Sequence, residues 1–296
     1  MTTIQTILAA TDFSADAHRA VRRAALLAGS HGARLQLLHV MEADALEELR
    51  ERLRLAVDVR QGLHDDAQRR LEALAEEVRE TVGSRPQCLV RTGNVLDEAV
   101  AAADYADLLV LGAHGTSQMR DLLLGTTAER LLLKSRRPML VVKGEPQSSY
   151  RKVLVPVDFS VHSLATLRFA WQIAPAAHVK IFHAYENPYE GKLVQADVSA
   201  GIIEQFLMES RDQALANIAN LIDKAVPADS QVSSSIERGD AKFLIPAEAV
   251  KLGADLIVIG KHGRSLLGEF FLGGATRATV ARSTCDVLVV PDRARL

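Results

Sequence analysis

Short runs of aliphatic residues alternate along the chain with longer segments in which apolar positions recur every three or four residues. The runs at 4–10, 34–40, 86–92, 107–112 and 138–143 are rich in Ile, Leu and Val without strict alternation, the pattern of strands covered on both faces. Between them the periodicity predicts helices over about 14–30, 44–82, 95–104 and 125–135. The second half repeats the plan, with strands expected at 152–157, 178–184, 230–237, 255–260 and 286–291. Such alternation implies right-handed crossovers and a parallel sheet. The segment 44–82, rich in Glu, Arg and Leu and interrupted by Gly62, reads as one or two charge-laced surface helices rather than a coiled coil. In "KSRRP" (134–138) three basic residues sit where they complement a helix C-terminus.

The repetition extends to detail. "GAHGTSQMRDLLLGTT" (112–127) and "GKHGRSLLGEFFLGGA" (260–275) both space their glycines by two and then nine residues. "ADLLVLG" and "ADLIVIG" lead into them, "PMLVV" and "DVLVV" follow, and each half opens with a related stretch, "ILAATDFS" or "VLVPVDFS". Asp12 and Asp158 are 146 residues apart; the paired glycines and closing strands are 148 apart. So constant an offset marks an internal duplication, and its length means two domains rather than a solenoid. We place the domains at 1–144 and 151–296, joined by the short polar linker "KGEPQSSYR".

Composition narrows the classes. With 296 residues, 48% hydrophobic and 24% charged, the chain suits two ordinary globular domains. A net charge of -2 supplies no basic face for nucleic acid. No apolar run approaches a membrane span and the N-terminus lacks a signal-peptide layout, so a cytoplasmic location is expected. Cys88 and Cys285, one in each half, read as small buried hydrophobes rather than as a disulfide or metal ligands.

A doubly wound sheet of order 3-2-1-4-5 reverses between its first and fourth strands, and ligands settle in the crevice beyond their C-terminal ends. Asp12 would there face Gly112 and Gly115, and Asp158 would face Gly260 and Gly263. Those glycines can let backbone approach a ligand or adopt positive φ. Gly125 opens "GTTAERLLL", a helix start whose unpaired N–H groups and partial positive charge suit phosphate, with Thr126 or Thr127 able to cap. Ser14 and Ser160 are equally good N-caps for the helices after the aspartates. His114 and His262 can bond phosphate or be satisfied by backbone or water; His39 and His183 read as packing residues.

These motifs resemble the universal stress protein family in its tandem form, whose nucleotide motif is G-x2-G-x9-G-[ST] with an aspartate after the first strand. The resemblance spans nearly the whole chain. It implies two similar α/β domains paired through their last strands, an intramolecular pseudo-dimer, and leaves homodimerisation of the full chain open. It further implies that Thr11, Asp12 and Val40 surround adenine and ribose, that Leu111, Gly112 and Gly115 line the sugar–phosphate side, and that Gly125, Thr126 and Thr127 take the phosphates of ATP, with Mg²⁺ a conceivable companion. The matching second set is Val157, Asp158, Gly260, Gly263, Gly273 and Gly274, with Gly274 where the motif has Ser or Thr. The implied role is that of an adenine-nucleotide-binding stress-response regulator acting on a protein partner of unknown identity. No P-loop, nucleophile elbow or HExxH appears, which limits expected catalysis to weak ATP hydrolysis. The alternatives are a slow ATP hydrolase or adenylyl-transfer enzyme, and a scaffold holding a non-nucleotide ligand. The missing hydroxyl at Gly274, worth roughly 1.5–3 kcal/mol as a hydrogen bond to a charged group, predicts tighter ATP binding in the first domain.

Overall fold

The computed structural model describes residues 4–42, 59–115, 124–185, 195–196, 198–228, 230–263 and 271–292. The first half runs β1 (Thr6–Ala10), α1 (Ala15–His31), β2 (Arg34–Glu42), α2 (Val59–Val82), β3 (Gln87–Gly93), α3 (Val95–Ala103), β4 (Leu108–Gly112), α4 (Thr126–Lys134) and β5 (Met139–Val142). The second runs β6 (Lys152–Pro156), α5 (Ser163–Ile173), β7 (His178–Tyr185), α6 (Ala200–Ala225), β8 (Val232–Arg238), α7 (Ala241–Leu252), β9 (Leu256–Gly260), α8 (Gly274–Arg282) and β10 (Asp286–Val290). The expected strands are all present, with ends shifted by one or two residues. Of the segment 44–82, the part from Val59 is one helix that passes through Gly62, and the part before it lies outside the described residues.

Each half has the order 3-2-1-4-5, and the two five-stranded sheets merge into one of order β3-β2-β1-β4-β5-β10-β9-β6-β7-β8. Pairing within each half is parallel, while β5 and β10 run antiparallel. Leu140 lies opposite Leu288, Val141 opposite Val287 and Met139 opposite Val289. Leu140 and Leu288 are duplicates of one another, so a pseudo-twofold axis passes between them. The central strands are buried on both faces, which explains their unbroken aliphatic sequences; the edge strand β8, "VSSSIER", is mostly half-exposed. Two apolar layers, one on each side of the sheet, draw residues from both halves. Among the described residues no helix is long and apolar enough to cross a membrane.

Polar contacts lock the halves together. Asp286, almost fully buried, accepts from Arg23 Nε at 3.1 Å, Tyr150 Oη at 2.7 Å and the backbone N–H of Lys143 at 2.9 Å. Tyr150, from the segment read as a polar linker, is itself buried and lies under the Arg23 guanidinium, 4.2 Å from the ring centroid. Two lysines cross the boundary in opposite directions. Lys143 Nζ donates to the Ser283 carbonyl at 2.6 Å, and Lys261 Nζ donates to the Leu133 and Ser135 carbonyls at 2.7 and 3.2 Å. Each thus satisfies the C-terminal carbonyls of the other half's last helix.

Candidate functional site

In both halves the strand-end aspartate is held by a strained turn. Phe13 and Phe159 have φ of 63° and 60°, the only described non-glycine residues with positive φ. Such backbone costs on the order of 1–3 kcal/mol per residue and needs support from its surroundings. The support is the same twice. Phe13 packs on His39 with centroids 4.4 Å apart, and His39 Nδ1 donates to the Thr11 carbonyl at 2.9 Å. Phe159 packs on His183 at 4.3 Å, and His183 Nδ1 donates to the Val157 carbonyl at 2.7 Å. Both histidines thus pack and hydrogen-bond, as their strand-end positions suggest. Burial, with Arg70 nearby, lowers the pKa of His39 against the opposing pull of its backbone hydrogen bond and Asp12.

The following helix starts differ. Asp12 Oδ1 accepts the Ser14 N–H at 3.0 Å, and Ser14 Oγ caps α1 by accepting Ala17 N–H at 3.2 Å. Ser160 does not repeat this role. Its N–H bonds Asp158 Oδ1 at 3.0 Å, but α5 begins only at Ser163, with His162 at the cap position and no side-chain cap bond. The sequence explains the delay: Ala15-Asp16 favours a helical first turn, whereas Val161-His162 combines a β-branched residue with one that lacks the helpful negative charge. One consequence is that Ser163 Oγ also donates to Asp158 Oδ1, at 3.0 Å.

The ladder glycines serve close approach rather than positive φ, which none of them has. A Cβ on Gly115 would stand 2.7 Å from Asp12 Oδ2, and one on Gly263 would stand 2.9 Å from Asp158 Oδ2. A Cβ on Gly112 would meet the Asp16 backbone at 2.7 Å. Gly125 N–H donates to the Ala113 carbonyl at 2.8 Å and Gly273 N–H to the Lys261 carbonyl at 3.0 Å, bringing each last helix's start against the first glycine turn.

Thr11, Asp12, Val40, Leu111, Gly112, Gly115, Gly125, Thr126 and Thr127 all line one cleft of about 320 Å³ at the first switch point. Val157, Asp158, Gly260, Gly263, Gly273 and Gly274 line a cleft of about 180 Å³ at the second. The structure thus gathers all fifteen residues singled out in the sequence into two duplicate sites. Each has a carboxylate on one side and a glycine-capped helix N-terminus on the other, where no cap side chain takes up the first N–H groups. Val95, Ala99 and Leu131 supply apolar wall in the first cleft, as Ile245 and Ile259 do in the second. Sequence reasoning missed most of these because aliphatic residues on a helix signal only burial.

It also missed how the loop histidines are held. His114 Nδ1 lies 3.0 Å from Asp16 Oδ2, and His262 Nδ1 lies 2.7 Å from Asp292 Oδ2. The anchoring carboxylates come from unrelated positions: Asp16 belongs to α1, whereas its counterpart in the second half is His162, 3.8 Å from Asp292 Oδ1. Among the described residues no group of three or more His, Cys, Asp or Glu could hold a metal ion.

The profile of the universal stress protein family matches residues 3–143 and again 149–291. A universal stress protein of Mycolicibacterium smegmatis is 26% identical over 97% of this chain and 97% of its own. Universal stress protein A homolog 2 of Coxiella burnetii is 35% identical over 48% of this chain and 95% of its own. Among solved structures, the fold is shared with the functionally unknown protein PA1789 of Pseudomonas aeruginosa, at 21% identity and a TM-score of 0.66 over 98% of this chain and 94% of that one. The chain therefore belongs to the universal stress protein family, with two of its domains in tandem.

Proposed function

We propose that the protein binds adenine nucleotide, ATP in the first instance, in the cleft of each half and acts as a nucleotide-dependent regulator of a protein partner in the cytoplasm. The observation that carries this reading is the convergence, twice over, of the aspartate, the glycine ladder and a helix N-terminus on one cleft. In this reading Asp12 accepts from ribose hydroxyls, the apolar wall takes a flat base, and the start of α4 takes the phosphates. With no protein metal-ligand set among the described residues, any Mg²⁺ would ride on the phosphates, and no chemical step is assigned to it.

Two experiments test the reading. Protein purified without added ligand should release an adenine nucleotide on denaturation, identified by mass spectrometry. Calorimetric titration with ATP should be impaired by Gly125→Val and Asp12→Ala in the first cleft and by Gly273→Val and Asp158→Ala in the second. Failure of ATP to bind the intact chain would refute it. One observation favours a second reading, slow hydrolysis: a carboxylate-oriented imidazole in each cleft. Steady phosphate release that persists in His114→Gln and His262→Gln would exclude those groups from it.

A further inference from the structure

Beside the second cleft, next to its lining residue Gly274, stands a lysine where the first half has a leucine. Asn94 and Asp240 are duplicate N-caps of α3 and α7, and two residues after them stand Leu96 and Lys242. Asp240 accepts the backbone N–H of Lys242 at 2.8 Å, which fixes Lys242 in the first turn of α7. From there its side chain runs to the start of α8: a Cβ on Gly274 would stand 3.2 Å from Lys242 Cε. Gly274 lines the cleft and replaces the threonine of the first site.

A lysine in this place is electrostatically odd. Its ammonium lies close to the positive ends of two helices, α7 and α8, where a cation is disfavoured and an anion favoured. Among the described residues its ion-pair partner is Asp240, with Oδ2 3.7 Å from Nζ, and the lysine side chain is half-exposed. Two helix ends and an ammonium therefore converge, with the Asp240 carboxylate only loosely placed against the ammonium. A second group lies in the cleft itself. His262 is nine-tenths buried, its Nδ1 is taken by Asp292, and its buried Nε2 has no hydrogen-bond partner among the described residues. Thr276 Oγ1, a hydroxyl near the helix start where the first half has Ala128, is committed to the Gly260 carbonyl at 2.8 Å and does not replace that of Thr126.

We propose that Lys242 is the phosphate-binding cation of the second cleft, standing in for the hydroxyl that Gly274 lacks, so that this cleft takes a phosphate-bearing nucleotide by charge rather than by a threonine. Gly274 then leaves room for the lysine stem, since a side chain there would crowd Cε. The proposal rests on the nucleotide reading above and goes beyond it in assigning the second cleft its own means of recognition. An ammonium–phosphate contact is a point-charge interaction, sensitive to salt, whereas a threonine hydroxyl bond is much less so.

The test uses the full chain carrying Gly125→Val, which leaves the second cleft as the ATP site, and titrates ATP and adenosine by calorimetry. Lys242→Met should weaken ATP about tenfold, the lower range for a charge-assisted hydrogen bond, and leave adenosine unchanged. Lys242→Arg should retain most of the affinity, and raising salt should weaken ATP more in the parent than in the Met variant. Lys242 is exposed, so equal melting temperatures without ligand would confirm that the variants fold alike. ATP binding indifferent to Lys242→Met, or an equal loss for adenosine, overturns the proposal. If the unmodified chain takes no nucleotide in either cleft, the reading of function has failed first, and this proposal fails with it.

Discussion

The two clefts share a backbone and differ in their side chains. Strand order, the positive-φ phenylalanine, the histidine beneath it and the glycine-capped last helix are the same in both halves. The loop histidine is anchored by Asp16 in one and by Asp292 in the other. Asp158 Oδ1 carries an extra bond from Ser163, and the threonine of the first phosphate end is replaced by a glycine with a lysine alongside. Duplicated geometry thus survives changes in the groups that serve it, because close approach and strand order depend on the backbone. Affinity depends on a few terminal atoms, and those are free to diverge.

The largest expected effect lies between the halves. Asp286 takes the place that Pro138 holds in the first half, so the buried carboxylate of the interface has no counterpart at its duplicate position. Asp286→Ala would leave the Arg23 guanidinium, 8% exposed, without its carboxylate. Breaking a buried pair from one side costs about 3–5 kcal/mol, so urea unfolding should shift strongly. Pro138→Ala should change stability far less. Equal effects would mean that the interface relies on its apolar strands alone.

Next come the phosphate ends. Thr126→Gly should weaken ATP in the first cleft by roughly one to two decades, the worth of a hydrogen bond to a charged group. Gly274→Thr should gain less in the second, because the new side chain meets Lys242 Cε. A full recovery of first-cleft affinity there would show that the lysine is irrelevant.

The first glycines separate the halves again, by a smaller margin. A Cβ on Gly112 meets backbone at 2.7 Å, while one on Gly260 meets its nearest atoms only at 3.3 and 3.4 Å. Gly112→Ala should destabilise by about 1–3 kcal/mol, as overpacking does, and should widen the gap between α1 and β4. Gly260→Ala asks its neighbours to give by only a few tenths of an ångström and should shift thermal unfolding less. Comparable shifts in melting temperature would put the close approach in doubt.

The sheet, the duplication and the clefts were legible in sequence because each rests on local signals: aliphatic runs, glycine spacing and a strand-end aspartate. The contacts that distinguish the halves were not. Asp286 reads as the first residue of a strand and Tyr150 as part of a polar linker until they meet 136 residues apart in sequence. Lys261 reads as a variable position in the glycine ladder, yet its ammonium reaches carbonyls of the first half. Ser160 had the right chemistry for a cap, but the two residues after it delay the helix. Long-range pairing of single polar atoms leaves no periodic trace.

The smallest effect is a pH dependence carried by one of the two crossing lysines. Lys143 has no titratable counterpart in the second half, where Pro291 stands at the duplicate position. Burial lowers its pKa from 10.5 to about 8, outweighing the opposite pull of Cys285 and Asp286. The neutral amine still donates to the Ser283 carbonyl. Between about pH 8 and 10.5 the unfolded chain therefore holds a lysine proton that the folded chain has released, and stability rises with pH. Cys285 acts in the opposite direction: burial, then Asp286, pushes its thiol from 9 to about 12, so the folded chain keeps a proton that the unfolded chain loses, and stability falls across that range. The interval from pH 8 to 9 therefore belongs mainly to Lys143. A single group cannot exceed about 1.4 kcal/mol per pH unit, and the partial exposure of Lys143 makes the slope smaller. Urea midpoints should rise between pH 8 and 9 in the parent, and the rise should flatten in Lys143→Met. A Cys285→Ala background should extend the parent's rise to higher pH. An unchanged slope in Lys143→Met would show that this lysine stays protonated in the fold and that its contact with Ser283 is an ionic cap.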